Sequence, residues 1–454
     1  MRVHSSHQPY IHVAITTPLP APLRTRRNVE EVIMATSGLN TFSQASKTGL
    51  NLLVISLLMS PLAHAADPIR RAAAQSTIPM TTKYWTVVQP DDEITFYRAN
   101  PDITYVEQEG VPQGLLVIKK GAARLKDVEF QDGTIEYDMK PIGEGSPATI
   151  FHRHDHDSGE VLYVRVSPDC PISNDCLQYA PIINGNMLWD AYPQYQSPAP
   201  INPGGWNHLK IVMSGRRMNV FVNGAATPTL SVGHLESSAR QGWLEFRGPA
   251  VYANLRISAG NVDQLPPTPL SDPSASDPGY VRNWRVSPFT VLPPGKDIAF
   301  DDRPALAQSW KRITTEQSGA INLTRLYKTP DPGQLRCVAW LTTEIDSSQD
   351  QRKTMSIGWL REIWVFVNGK LVFSGKNFWD PPGPKLTPDG RISLENGSFD
   401  MPLKQGHNRV DIAISNENSD SRTHYGWGLQ LKARDVRGII FPGSSEAEET
   451  SLNP

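Results

Sequence analysis

Gly133-Thr134-Ile135-Glu136-Tyr137-Asp138-Met139-Lys140-Pro141 alternates apolar and polar side chains residue by residue. A period of two sends Ile135, Tyr137 and Met139 to one face and Glu136, Asp138 and Lys140 to the other, the pattern of a strand between core and solvent. The alternation recurs on both sides, in GLLVIKK (114–120), EVLYVRVS (160–167), NHLKIVMSG (207–215), MNVFVNG (218–224), GWLEFRG (242–248) and VYANLRIS (251–258). Short alternating runs parted by turn residues predict an antiparallel sandwich over 66–260. The stretch QLPPTPLSDPSASDPG (264–279) is rich in Pro, Ser and Asp, has almost nothing to bury, and predicts a linker at 261–279. Alternation resumes in AINLTRLYK (320–328), LRCVAWLTTEI (335–345), EIWVFVNGKLVFSG (362–375), GSFDMPL (397–403), NRVDIAIS (408–415) and GWGLQLKARD (426–435), which predicts a second sandwich over 280–442. The tail GSSEAEETSLNP (443–454) is polar and reads as disordered. The expected fold class is all-β, two β-sandwich (jelly-roll) domains in tandem.

Composition points the same way. The 39 Pro, 33 Gly, 11 Trp, 13 Tyr and 13 Phe of the 454 residues suit many short strands joined by turns. With 44 Lys+Arg against 46 Asp+Glu there is no basic excess to neutralise phosphates, so nucleic acid is not an expected partner. KTGLNLLVISLLMSPLAHA (47–65) has a basic residue, a short apolar run and the small-x-small site Ala63-His64-Ala65 of a secretory signal. Residues 1–65 are therefore expected to be an upstream extension and signal peptide, Met34 giving a signal of ordinary length. Cleavage near Ala65 makes the product secreted or periplasmic. The apolar run is shorter than the ~20 residues of a membrane span, and no later segment reaches that length. Five Lys/Arg and two Glu precede Ala66, which leaves 39 basic against 44 acidic groups and a net charge of −5.

Of the three cysteines, Cys170 and Cys176 bracket the loop PISND and could bridge it in an oxidising compartment. Cys337, in LRCVAWL, reads as a buried free thiol. VFVNG occurs twice, at Val220 to Gly224 and Val365 to Gly369, each time running a strand into Asn-Gly, the strongest short hairpin signal. No further alignment joins the two halves, so convergence on a good turn is the plainer reading.

Phe130 to Asp138, Phe151-His152-Arg153, Glu160 to Arg165, Leu177 to Pro181, Asn184-Gly185, Trp189, Trp206 to Lys210 and Tyr252 to Leu255 follow one another in the order and rough spacing of a known fold. On them the first domain resembles the concanavalin A-like lectin/glucanase fold in its laminin G-like branch, and within it the 3-keto-disaccharide hydrolase domains. Ile363 to Gly369, Leu403 to Asn408 and Gly426-Trp427-Gly428 make the second domain similar to galactose-binding-like jelly rolls. The first resemblance implies a sandwich that hosts lectins, hydrolases and lyases alike. The second implies that the Asn-Gly hairpin and the KxGxN turn are structural.

Two carboxylates flanking a scissile bond are what glycoside cleavage commonly needs. Glu136 and Asp138 share a strand face, yet the third acid of the glucanase cluster is missing, since Met139, Lys140 and Pro141 follow. The pair reads equally as the wet face of an amphipathic strand. His152, His154 and His156 would share a face on a regular strand and could hold Zn²⁺ with an open water position. Asp157-Ser158-Gly159 instead favours a turn there. Asp389-Gly390 and Glu395-Asn396-Gly397 offer oxygen ligands for Ca²⁺. No cofactor is required by any motif; a divalent metal, Ca or Zn, remains open.

The richest set lies between Glu160 and Tyr195. Arg153, Tyr163, Arg165, Gln178, Tyr179, Asn184, Trp189 and Tyr192 supply the aromatic planes, guanidinium and amides that sugar sites use. The same residues could instead pack the sandwich, with Arg165 paired to Glu160 or Asp138. Trp379 and Trp427 sit in Gly/Pro-bearing segments of the second domain and could stack on a sugar, on the first domain or in a core. The reading is a carbohydrate-binding protein whose partner is an oligosaccharide or polysaccharide and whose main site is on the first sandwich. An alternative is a glycoside hydrolase or lyase acting on a modified sugar such as a 3-keto-glycoside, with Glu136, Asp138, His152 or Glu160 as acid or base. A third is an envelope scaffold without a small ligand. GxSxG, HExxH, glycine-rich phosphate loops and paired CxxC are absent from the sequence.

Overall fold

In the computed structural model the described residues are 76–90, 100–293, 295–306, 309–328, 336–379, 386, 388, 390–416 and 426–442. The expected signal peptide and upstream extension, Asp389 and the polar tail lie outside them.

The opening strand, Gly133–Pro141, does what its alternation demands: Ile135, Tyr137 and Met139 are buried, and Lys140 is exposed. It is the middle of an antiparallel sheet ordered Leu230–Val232, Arg217–Val222, Asn207–Ser214, Gly133–Pro141, Ala250–Ala259, Val111–Lys120, Asp102–Gln108. A second sheet runs Asn186–Met187, Leu177–Ile183, Ser158–Val164, Ala148–Arg153, Trp243–Arg247, Ala122–Leu125, Trp85–Val87, with Gln196–Ser197 against Leu177–Ile183. Between them Tyr137, Ile211 and Tyr252 of one sheet meet Phe151, Leu162, Tyr179 and Phe246 of the other. Phe246 stacks on Tyr252 at 4.3 Å, and the Tyr137 hydroxyl bonds Thr149 Oγ1 at 2.5 Å, so the polar tip of a core tyrosine is satisfied inside.

The second sandwich pairs a sheet ordered Lys311–Thr314, Asn283–Val286, Arg336–Ser347, Gly406–Ser415, Arg361–Val367, Lys370–Asn377 with one ordered Ala320–Asn322, Gly428–Ala433, Gln351–Trp359, Gly397–Leu403. Ala339, Ile363, Val365, Ile412 and Ile414 meet Met355, Ile357, Met401 and Leu429 in its core. Trp427 is fully buried there, its indole N–H donating to Ile414 O. Cys337 is buried and unbridged, and burial pushes its thiol pKa up. AINLTRLYK is not one strand. After Ala320–Asn322 the chain makes a single helical turn, Leu323–Leu326, because the Asn322 side chain caps it by accepting from Arg325 N.

The connector between the sandwiches has more to bury than its composition indicates. Leu265 is buried, Leu270 N donates to Gly233 O, and Asp272 accepts from Ser318 N. Both Asn-Gly pairs sit at positive φ, Asn223 and Gly224 at 52° and 72°, Asn368 and Gly369 at 50° and 79°. Among the described residues no helix is long and apolar enough to cross a membrane.

One sheet departs from the one-wet-face expectation. Ala148–Arg153 and Leu177–Ile183 are buried at every position, and Ser158–Val164 at all but its first. Their outward side chains, Ile150, Val161, Tyr163, Ala180 and Ile182, join Met187 and Trp189 in a small apolar cluster against Trp379 of the second sandwich. Both sandwiches belong to one compact unit, Ala65–Pro454.

Candidate functional site

Alternation along Ser158–Val164 and Leu177–Ile183 carries Tyr163 and Gln178 to the outward face, and the next outward position is Arg165. The Tyr163 hydroxyl donates to Gln178 Oε1 at 2.6 Å and accepts from Arg165 Nη2 at 2.6 Å, while Gln178 Nε2 donates to Trp189 O at 2.7 Å. Arg165 lies over the rings of Tyr163 and Trp189 at 4.8 and 5.8 Å and sends Nη1 to Asp175 O at 2.7 Å.

Asp175 belongs to the five-residue loop that Cys170 and Cys176 close with a disulfide. Its Oδ1 accepts from Ser173 Oγ at 2.6 Å and its Oδ2 from Arg391 Nη2 of the second sandwich at 3.1 Å. Burial alone would raise its pKa; the Ser173 bond and the Arg165 and Arg391 charges outweigh that and hold the carboxyl below its ordinary value. Arg391 in turn packs on Trp189 and Trp379 at 5.3 and 5.0 Å, and the two indoles meet edge to face at 5.1 Å. Beside this layer opens a cleft of about 460 Å³, lined by Ser173, Asn174, Asp175, Pro193, Gln196, Pro388 and Arg391. Both sandwiches wall it.

The other proposed sugar-binding residues lie elsewhere. Asn184, at φ 50°, gives its amide to Thr324 O (2.7 Å) and Arg325 O (3.3 Å). The Tyr192 hydroxyl donates to Glu316 Oε2 at 2.7 Å and accepts from Asn322 Nδ2 and Arg325 Nη2. Both hold the second sandwich. Arg153 is buried, with Nη1 on Glu245 Oε2 at 3.2 Å. Tyr179 points into the core, where its hydroxyl donates to Glu160 Oε2 at 2.6 Å and accepts from Glu236 N.

The four candidate acids and bases do not converge on one pocket. Glu160 is fully buried between the sheets, and burial, outweighing its bonds to Tyr179 and Ser237, pushes its pKa up to about 8. His152 has left strand geometry, with φ 55°, and packs between Phe130 and Phe151. Its Nε2 donates to Gln131 O at 2.7 Å, and burial lowers its pKa to about 4. The strand ends at Arg153, so His154 and His156 stand exposed in the turn and the three imidazoles do not share a face. Among the described residues no three His, Cys, Asp or Glu side chains are placed to hold a metal ion. Asn396 is structural, its Oδ1 accepting from Ser393 N at 2.8 Å.

Glu136 and Asp138 do stay together, on the solvent side of the other sheet. There His208 Nδ1 donates to Asp138 Oδ1 at 2.8 Å, and its Nε2 lies 3.8 Å from Glu136 Oε1. Asn254 sits at φ 55° where the register of Ala250–Ala259 shifts, and its amide holds Asp138 Oδ2 at 2.7 Å.

No family model and no curated protein matches the chain. Among solved structures it is similar to a carbohydrate-binding module from Bacillus subtilis, at 17% identity and TM-score 0.28 over 40% of this chain and 100% of that one. It is also similar to domain 4 of an extracellular arabinanase from Geobacillus stearothermophilus in complex with arabinotriose, at 15% identity and TM-score 0.29 over 42% and 93%. A third likeness is to the exoplasmic/lumenal domain of VIP36 in a Ca²⁺/Man3GlcNAc-bound form, at 10% identity and TM-score 0.27 over 41% and 87%.

Sequence reasoning missed Asp175, Arg391, Gln196, His208 and Asn254. For Asp175 a signal existed, an acid inside the cysteine-bracketed loop. His208 and Asn254 follow from strand pairing, His208 opposite Asp138 and Ala253 beside it, which one strand read alone does not reveal.

Proposed function

We propose that the protein binds a carbohydrate in the cleft between its sandwiches. The observation that carries this reading is the cleft itself. Its walls combine carboxylate, hydroxyl, amide and guanidinium groups with the apolar faces of Pro193 and Pro388, the mixture that a ring with polar edges and apolar faces requires. Tyr163, Arg165, Gln178 and Trp189 act as the layer behind, fixing Asp175 and Arg391. Action after secretion, in the periplasm or outside the cell, is part of the proposal. The Cys170–Cys176 bridge supports it, because such bonds persist in oxidising compartments. The test is a thermal-shift and calorimetric screen of the purified protein against oligosaccharides. Binding that falls at least tenfold in Asp175→Ala supports the cleft. Binding unchanged in that variant places the ligand elsewhere, and no binding at all leaves the scaffold reading.

A second reading has its own observation. Asp138, fixed by Asn254, orients His208 so that Nε2 faces solvent beside Glu136, an arrangement suited to taking up and returning a proton in glycoside cleavage or elimination. Incubation with 3-keto-glycosides and mass spectrometry of the products tests it. Turnover lost in both Glu136→Gln and His208→Ala would establish it; no product from the unaltered protein would remove it.

A further inference from the structure

We infer that Trp206 is the stacking platform of the face that carries Glu136 and His208, and that the ligand of this face is a neutral pyranoside chain with one ring laid on the indole and the next over His208. The inference rests on the second reading, in which that face is the site.

All eleven tryptophans lie among the described residues, and Trp206, 43% exposed, is the one exposed indole. A lone apolar side chain at a surface needs no explanation by itself; what sets this one apart is its place. It immediately precedes Asn207–Ser214, where His208 and Lys210 face solvent while Asn207 and Leu209 are buried. Alternation therefore puts Trp206 on the His208 face, about 7 Å from it along the chain, close to the width of one sugar ring. Its loop is fixed. Asn207 Oδ1 accepts from Asn202 N at 2.7 Å, and Asn207 Nδ2 donates to Asn202 O at 2.9 Å and to Gly205 O at 3.1 Å. Asn202 Oδ1 accepts from Gly204 N at 3.1 Å. The turn is set before any ligand arrives, and an aromatic side chain with two torsions loses little freedom on binding.

Strand pairing supplies the polar half of the site. Lys210 and Arg256 flank Glu136, His208 and Ala253 flank Asp138, and the exposed Lys140 follows Met139, the partner of Asn207. Lys210 Nζ also meets Asp263 Oδ2 at 2.5 Å. The acids Glu136, Asp138 and Asp263 are thus matched by the bases Lys140, Lys210 and Arg256, all exposed or half-buried. Charges so balanced give no net field to draw an acidic or a basic polymer. Sugar hydroxyls can donate to the acids and accept from the bases, while the C–H face of a pyranose needs an aromatic plane. A protein partner would need an apolar centre. Beside Trp206 the outward side chains His208, Asp138 and Lys140 are polar or charged instead.

The experiment titrates cellotetraose, chitotetraose and tetragalacturonate into the unaltered protein, Trp206→Phe and Trp206→Ala. Affinity is read by calorimetry, and shielding of the indole by the fraction of tryptophan fluorescence that iodide quenches with and without sugar. The inference expects a neutral tetrasaccharide to bind and to lower the quenchable fraction of the unaltered protein. Trp206→Ala should lose most of that fraction before any sugar is added and bind roughly tenfold more weakly or worse, with Trp206→Phe keeping most of the affinity. Shielding is read on the unaltered protein, so it decides even where Trp206→Ala is less stable. Equal affinity in Trp206→Ala, a bound sugar that leaves quenching unchanged, preference for tetragalacturonate, or no binding by any of the three overturns the inference. Failure of the second reading shows differently, as a sugar that shields Trp206 while neither it nor 3-keto-glycosides yield a product by mass spectrometry.

Discussion

Glu160 and His152 carry opposite proton linkages inside the same sandwich. Folding raises the Glu160 pKa from 4.5 to about 8, so the stability it contributes is complete below pH 4.5 and is lost as pH rises through 8. Folding lowers the His152 pKa from 6.5 to about 4, so its contribution is complete above pH 6.5 and is lost as pH falls through 4. Between 4.5 and 6.5 the two slopes oppose each other; between 6.5 and 8 only the Glu160 slope remains. Melting temperature measured against pH is expected to fall from 6.5 to 8, and Glu160→Gln is expected to flatten that limb. An unchanged limb in the variant would assign it to other groups. Glu160 illustrates what one strand can and cannot tell. Alternation in Glu160 to Arg165 correctly separates the Glu160 face from the Tyr163 face, but which of the two faces meets the core depends on the partner sheet.

At the level of elements, each sandwich is closed by the same two-asparagine cap. Asn207 accepts from Asn202 N and Asn223 Nδ2 and donates to Asn202 O and Gly205 O. Asn408 accepts from Lys404 N and Asn368 Nδ2 and donates to Lys404 O and Gly406 O. The hairpin asparagines Asn223 and Asn368 answer with bonds from His208 N and Arg409 N. The order of the pieces is reversed. In the first sandwich the capping asparagine precedes its VFVNG strand, and in the second it follows. Opposite order over identical bonding supports convergence and explains why only the pentapeptide stands out in the sequence. Asn207→Ala and Asn408→Ala each strip part-buried turn backbone groups, those of Asn202 and Gly205 or of Lys404 and Gly406, of their side-chain partner, at about 1 kcal/mol per hydrogen bond. Urea unfolding of either variant should show at least that loss; a smaller one would mean that water replaces the amide.

For the whole molecule, the seam between sandwiches is held by a residue that no motif announced. Asp190 is fully buried; its carboxylate accepts from Arg361 Nη2 at 2.9 Å and from Gly426 N at 2.9 and 3.0 Å, and its carbonyl accepts from Ile392 N. Arg361 adopts φ 72° there, and a Cβ on Gly426 would sit 2.7 Å from Asp190 Oδ1. Removing one partner of a buried ion pair costs about 3–5 kcal/mol. Asp190→Ala is therefore expected to split a single calorimetric transition into two, one per sandwich, whereas one undivided peak would show that the remaining seam contacts, among them Asn184, Tyr192, Asp175–Arg391 and Trp189–Trp379, suffice. Sequence read the all-β sandwich class because the cores obey period two. It read Asn184, Trp189 and Tyr192 as sugar contacts because domain seams and sugar sites draw on the same amides and aromatics.

The bridged loop from Cys170 to Cys176 gives the molecule a replaceable jaw. Its two anchors are buried, while Pro171, Ile172 and Asn174 between them are exposed. New sequences can be tried in that interval without repacking either core, since the covalent closure keeps the loop ends fixed whatever lies between. Divergence of ligand preference in such a scaffold would begin there, at the exposed Pro171, Ile172 and Asn174, and directed evolution can use those positions while Asp175 keeps its bonds to Arg165 and Arg391.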